Sequence, residues 1–330
     1  MKKYIIVASL FALFFSACST KEVYEPKVIS GEWHKYAPMD SEIVDRSSNV
    51  ALLSNTKVLT RNGELNVTIE PNQRIISQSD GWILSATIDG NLTLTSENNS
   101  SLQKNFELKS TIASASVNDD MLAVLFADDE MALYDMSSKA LLFKEQSGKS
   151  VASDMRIVNP YFMNGLVIFS TLDGKIVIVS TKLKKKLRTV LISSADFFNN
   201  VIDFHLLDNK IIASTDTKML SLTKKELRQK YEIRDIAYGD KEIFITTKQG
   251  EVIALTPDLE VISKVKFPFA HFLGLINKGD KLYALEKEGY LITIDKKSFD
   301  YDVKKVDIDD GFVFTGPDLF YVDDTKILVE

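Results

Sequence analysis

The chain of 330 residues is poor in the residue types that most enzymes rely on. It has one cysteine, Cys18, so neither an intramolecular disulfide nor a cysteine-rich metal site can form. Three histidines, His34, His205 and His271, leave little material for metal ligation or acid/base work. Tryptophan occurs twice, and 14 glycines and 7 prolines are too few for a collagen-like or low-complexity chain. Positive charge is also short. With 40 basic against 46 acidic residues the net charge is −6, which disfavours nucleic acid or an anionic lipid surface as the main partner. What remains, 45% hydrophobic and 26% charged residues, is enough to bury a sizeable core.

The N-terminus reads as an address. Lys2 and Lys3 precede an almost wholly apolar stretch, residues 4–17, in the layout of a secretory signal. Fourteen residues at ~1.5 Å each reach about 21 Å, short of a ~30 Å hydrocarbon core, so the stretch is not a permanent span. Directly behind it, Phe15-Ser16-Ala17-Cys18 resembles the bacterial lipobox. That resemblance implies cleavage before Cys18, acylation of Cys18 with fatty acids such as palmitate, and an essentially permanent anchor. Ser19, in place of the Asp that retains enteric lipoproteins in the inner membrane, implies the periplasmic face of the outer membrane. The expected organisation is a signal peptide over 1–17, a lipidated tether over 18–28, and one domain over 29–330.

That domain repeats. Residues 82–88, the turn Asp89-Gly90-Asn91 and residues 92–95 form an apolar run, a tight polar turn and a second alternating run. Residues 166–179 repeat it around Asp173-Gly174-Lys175, and further copies centre on Gly250 and Gly289. Asp-Gly between two such runs is a strong hairpin signal, since Gly supplies the positive φ that the turn needs. Four worn copies keep the pattern without glycine, around Thr56, Asp129, Thr217 and Thr325. Taken as equivalent, the eight positions step by 34, 39, 45, 43, 33, 39 and 36 residues. A period of roughly 40 fits four short strands per copy, the spacing of propeller blades.

Between hairpins lie candidates for two further strands per copy, among them residues 104–108, 112–116, 141–145, 156–158, 186–192 and 201–206. Helical periodicity is scarce. Only residues 223–231 carry helical propensity, and their place in the repeat calls for an outer strand. Eight hairpins predict an all-β, eight-bladed β-propeller, with seven blades and an irregular arm as the alternative. The last hairpin runs to Glu330, so the missing outer strand is expected from residues 28–33, pairing with the last blade and closing the ring.

A lipoprotein signal followed by such hairpins resembles the PQQ-like repeat propellers, and among them the BamB-like outer-membrane assembly lipoproteins. Asp173-Gly174-Lys175-Ile176-Val177-Ile178 and Glu288-Gly289-Tyr290-Leu291-Ile292-Thr293-Ile294-Asp295 match the repeat well. The resemblance implies a non-catalytic scaffold without a cofactor, monomeric within its complex. It would dock on the barrel-forming subunit of the assembly machinery and assist unfolded outer-membrane proteins. In that family an Arg and Asp residues in the loops entering the fourth and fifth blades make the contact, which points here to Arg156 and Asp196. A surface or periplasmic propeller binding glycan or host protein is the alternative. A quinoprotein-like enzyme is disfavoured, because no vicinal Cys pair and no calcium and quinone constellation is recognisable.

Other features read more plainly. The run from Lys182 to Arg188 is expected to be a solvated outer edge, and the acidic turns lack the spacing of a calcium loop, so no metal site is assigned. His205 and His271 are expected to be semi-buried, non-catalytic imidazoles. Phe197-Phe198 and Phe267-Pro268-Phe269 are expected chiefly as packing between blades, with exposed partner anchors as the other reading. Asn66, Asn91 and Asn99 sit in acidic-x-Asn-x-Ser/Thr patterns of bacterial N-glycosylation, and only Asn99, in a polar loop, is expected to be accessible.

Overall fold

The apolar runs of the repeat become the two middle strands of each sheet. Met121–Phe126 is buried along almost its whole length, as are Leu166–Ser170 and Lys281–Glu286. A strand covered on both faces reads as a continuous apolar stretch, and here each sheet is sandwiched between two neighbours. Outer strands show the reverse. Glu226–Lys230 is exposed at every position and Lys185–Leu191 at all but one. Glu226–Lys230 lies where helical propensity was strongest, yet it pairs residue by residue with Lys218–Leu222. Propensity differences of about 0.5 kcal/mol per residue do not outweigh a ladder offered by an existing sheet edge.

The computed structural model describes residues 22–150, 152–308 and 311–330; the signal stretch and Cys18, with its expected acylation, lie outside them. The described chain forms eight sheets, antiparallel but for one added parallel strand, and no helix. Blades 1 to 8 span residues 43–68, 74–107, 112–146, 161–191, 201–230, 233–266, 272–305 and 313–328. The fold is therefore the expected eight-bladed propeller, and the seven-bladed alternative is set aside. Its core is a circle of wedges rather than one centre. Between blades 2 and 3, Leu84, Leu94 and Phe106 meet Leu122, Val124 and Phe126, and between blades 5 and 6, Ile212 and Met219 meet Ile243 and Ile253.

Seven of the eight turn positions inferred from the repeat are equivalent in space. In blade 8 Thr325 already pairs with Val322 as a strand residue, and the equivalent turn residue is Asp324, capped by the Met39 amide at 2.7 Å. Gly90, Gly174, Gly250 and Gly289 have φ between 75° and 85°, and Thr56 and Asp129 adopt the same left-handed conformation at 68°. Each turn is also capped by the chain leaving its own blade. The amide of Leu108 donates to the Gly90 carbonyl at 2.9 Å, Ile192 to Gly174 at 2.9 Å, Phe267 to Gly250 at 2.7 Å and Val306 to Gly289 at 2.9 Å. Ile69 does the same to Thr56, Ser147 to Asp129 and Tyr231 to Thr217, so the worn copies keep the bond after losing the glycine.

Ring closure corrects one expectation. The strand that completes blade 8 is Tyr36–Pro38, antiparallel to Thr325–Leu328 with Tyr36 opposite Ile327. Within residues 28–33 only Gly31–Glu32 is a strand, and it adds in parallel to Tyr301–Lys305 as a fifth strand of blade 7. Val28 and Ile29, whose apolar character suggested the closing strand, are exposed. Pro38 made the true strand look unlike one, but an outer-edge strand tolerates a residue without an N–H. Tyr24, in the stretch read as tether, is buried between blades 6 and 7, edge-on to Phe267 and Tyr290.

Candidate binding site: the central channel and its mouth

In each blade the first strand lines the channel, and antiparallel order then puts the middle turn and the connector to the next blade on one face of the disc. The channel encloses about 1330 Å³. The longest connector lies between blades 3 and 4, and its described residues 152–160 cross the channel. Here the expected strand 156–158 does not form, and the inner strand of blade 4 is only Tyr161–Met163. Side chains have taken over the pairing. Asn200 accepts the Asp154 amide at 2.6 Å, and its Nδ2 donates to the Arg156 carbonyl at 2.9 Å. Ser114 Oγ donates to the Val158 carbonyl at 3.1 Å, and Asn159 reaches across to Ser48 Oγ at 3.0 Å.

Arg156 sits at the centre of this plug. Its Nε and Nη2 donate to the Asp154 carboxylate at 2.9 and 2.6 Å, and Nη2 also reaches Asp216 at 3.1 Å. Its Nη1 donates to the carbonyls of Ile233 and Arg234 at 3.2 and 2.8 Å. Lys248 Nζ, at 2.5 Å, completes the coordination of Asp216. Burial works against the Arg156 charge, but the Asp154 and Asp216 carboxylates outweigh it and hold the guanidinium above its ordinary range. The side chain keeps about a third of its surface exposed at the mouth while all its nitrogens are engaged within the chain.

Asp196 is exposed on the next connector, residues 192–200, and is not brought into contact with Arg156. Beside it stand Phe197 and Phe198, 59% and 54% exposed, and on the neighbouring connector Met155 is 76% exposed. The Phe198 amide donates to the Ala152 carbonyl at 2.9 Å, tying the two connectors together, and Phe198 has φ 51°, unusual for a bulky side chain. Phe269, on the connector to blade 7, is exposed on the same face. The expectation that these phenylalanines pack between blades therefore holds only for Phe267, which is buried against Tyr24, Phe272 and Tyr301. Sequence reasoning counted apolar residues as core, and nothing local distinguishes a phenylalanine on a loop tip from one beneath it.

Asn99 is exposed in the loop between Asn91–Ser96 and Gln103–Glu107, where its Oδ1 accepts the Ser101 amide at 3.1 Å; Asn66 and Asn91 lie within strands. The basic run is on the rim of blade 4, with Lys186 paired to Glu145 and Arg188 to Glu226 at 2.6 Å. His205 is half-buried and stacked on Tyr238 with ring centroids 3.9 Å apart, and burial pushes its imidazole below the ordinary range. The Tyr238 hydroxyl donates to Asp203, a channel carboxylate that burial pushes up to about 7.

Blade count, closure by an N-terminal strand and a plugged channel define an eight-bladed propeller with a loop-built mouth. Residues 54–306 match the RSE1/DDB1/CPSF1 second beta-propeller, and the chain belongs to that family. It is 27% identical over 95% of its length to the plasminogen-binding protein PgbB of two Helicobacter pylori strains, and spans about two thirds (67% and 66%) of their length. Among solved structures it is similar to BamB from Moraxella catarrhalis, with a TM-score of 0.68, 12% identity and coverage of 89% of this chain and 98% of that one. The C-terminal WD40 domain of Sif2 superposes nearly as well, with a TM-score of 0.65, 10% identity and coverage of 91% and 99%. At such identities both likenesses speak for the fold alone.

Proposed function

We propose that this protein is a non-catalytic, lipid-anchored propeller, held at the outer membrane through Cys18, that binds another protein with the connector face around its channel mouth. The observation that carries the reading is the exposed Met155, Phe197 and Phe198 group beside Asp196. Aromatic and methionine side chains fixed on a rigid scaffold are what protein interfaces use as anchors, and leaving them in water without a partner costs solubility. Likeness to PgbB along almost the whole chain supports a host protein, with plasminogen as the ligand to test first.

A second reading, docking on the barrel-forming subunit of the outer-membrane assembly machinery, draws support from the BamB-like fold and the lipobox-like sequence. In it the same connectors entering blades 4 and 5 make the contact, with Asp196 exposed and Arg156 acting by holding the loop in shape. One experiment separates the two. The mature protein and a Phe197→Ala/Phe198→Ala variant are immobilised and exposed to purified plasminogen and, separately, to detergent-solubilised outer membrane. Capture of plasminogen that the variant loses about tenfold supports the first reading, and equivalent recovery of the barrel subunit supports the second. Equal capture by both forms removes the phenylalanines from the interface. An unmodified intact mass of the native protein would remove both the Cys18 acylation and an Asn99 glycan.

A further inference from the structure

The chain contains seven arginines and, by difference from 40 basic residues, 33 lysines. Four of the seven arginines, Arg46, Arg61, Arg156 and Arg234, line the central channel, and no lysine among the described residues does. Random placement would put lysine there far more often. The two cations differ in what they bind: a guanidinium offers a rigid fork of donors matched to carboxylate or phosphate oxygens, and it keeps its charge when partly desolvated.

Structural pairing accounts for only one of the four. Arg156 is consumed by Asp154 and Asp216. Among the described residues Arg46, Arg61 and Arg234 make no direct ion pair with a carboxylate; carboxylates act on them only at longer range. Arg46 donates to the Val313 carbonyl and lies over the Phe312 ring, and Arg61 Nη2 donates to the Ser48 carbonyl at 3.0 Å. Arg234 Nε is buried and has no hydrogen-bond partner among the described residues, an unfavourable arrangement unless a ligand supplies the acceptor. The carboxylates on the wall are committed elsewhere. Asp80 accepts the Asp119 amide at 2.9 Å, Asp203 accepts the Tyr238 hydroxyl, and Asp235 accepts the amides of Ile236 and Leu275 at 2.9 and 2.7 Å. The lining formally balances four arginines against four aspartates, Asp80, Asp154, Asp203 and Asp235, and burial pushes Asp203 and Asp235 up toward the neutral form, which shifts that balance toward positive. Burial lowers both Arg46 and Arg234; Asp235 offsets part of this at Arg46, and Asp154 and Asp216 part of it at Arg234, but both guanidiniums stay lowered with the charge of Arg156 acting against them, an effect that an anion between them would relieve.

We propose that the channel is a binding site for a small organic polyanion, a molecule bearing two or more carboxylates or phosphates, held by Arg46, Arg61 and Arg234. The wide cavity, about 1330 Å³, suits an organic molecule with its water rather than a bare inorganic ion. The inference does not depend on which protein the connector face binds. The site is tested by titration calorimetry of the mature protein with citrate and, separately, with inorganic pyrophosphate. Binding of either probe, with Kd raised about tenfold in Arg46→Gln and in Arg234→Gln and unchanged in the rim control Arg188→Gln, is the expected result. Which probe binds tells carboxylate from phosphate. Arg234→Lys, which keeps the charge and loses the fork, is expected to fold as wild type and to bind several-fold more weakly. No heat with either probe, or affinity that the channel variants leave unchanged, or equal loss in Arg188→Gln, overturns the proposal.

Discussion

Asp129 shows how a worn repeat keeps its geometry at an electrostatic cost. It replaces the turn glycine in blade 3, adopts φ 68°, and is fully buried. One carboxylate oxygen accepts the Leu172 amide at 2.7 Å and the other has no partner among the described residues. Burial first, and then the charge of the neighbouring Asp173, push it up to about 7, while Lys175, Thr171 and Gly148 hold Asp173 below the usual carboxylate range against its own burial. In the unfolded chain Asp129 titrates near ~3.9. Between about pH 4 and 7 the folded state binds the extra proton, so this group's contribution to stability falls as pH rises through that window, and the full penalty stands above it. Asp129→Asn removes the charge and keeps the acceptor for Leu172. Calorimetry is expected to find the variant more stable than wild type by up to about 4 kcal/mol at pH 8 and equal to it near pH 4. An equal difference at both pH values would rule out ionisation as the cause. Asp203, pushed the same way, leaves part of the slope in place.

At the level of elements, the unit of this fold is a hairpin turn clasped by the connector that leaves the same blade. Gly250 has φ 75°, and a Cβ added there would stand 2.1 Å from the Phe267 carbonyl oxygen, the acceptor side of the connector that caps it. Gly81 has nearly the same φ, 77°, with nothing within 4 Å. The pair separates backbone strain from collision. Gly81→Ala is expected to cost about 1 kcal/mol, and Gly250→Ala at least 2–3 kcal/mol more, read from denaturant midpoints; equal costs would mean that the connector gives way. This also explains what was legible in the sequence. The turns announce themselves because Asp-Gly between apolar runs is a local signal, and even Thr56 and Asp129 could be aligned by spacing. The closing strand Tyr36–Pro38 could not, since its pairing is decided by an edge almost three hundred residues away. The same holds for the candidate site. Arg156 and Asp196 lie on the connectors entering blades 4 and 5, as their place in the repeat implies, yet the partners of Arg156, Asp216 and the carbonyls of Ile233 and Arg234, are contributed by later blades. The channel arginines share no spacing at all, and only the closed ring brings them together.

For the whole molecule, the decisive contact is the seam where the ring closes. The N-terminal segment closes it with Tyr36–Pro38 on blade 8 and fastens the blades leading to it at three further points: Tyr24 between blades 6 and 7, Gly31–Glu32 along the rim of blade 7, and Trp33 between blades 7 and 8. Trp33 packs on Tyr283 and donates from Nε1 to the Leu328 carbonyl at 3.1 Å. Burying Tyr24 and Trp33 contributes roughly 4–6 kcal/mol at ~2–3 kcal/mol each, which is comparable with the whole ~5–15 kcal/mol stability of a domain. Each blade rests on both neighbours, so loosening the seam loosens the circle rather than one sheet. A mature protein lacking residues 22–38 also exposes the edge of Thr325–Leu328, a template for pairing with another chain. Its thermal transition is expected to remain single and to fall by at least about 10 °C, a few kcal/mol for a domain of this size, with part of the protein eluting as dimers or larger species. A monomer with an unchanged transition would show that wedge packing alone closes the ring. A separate early transition confined to blade 8 would show that the blades fold as independent units.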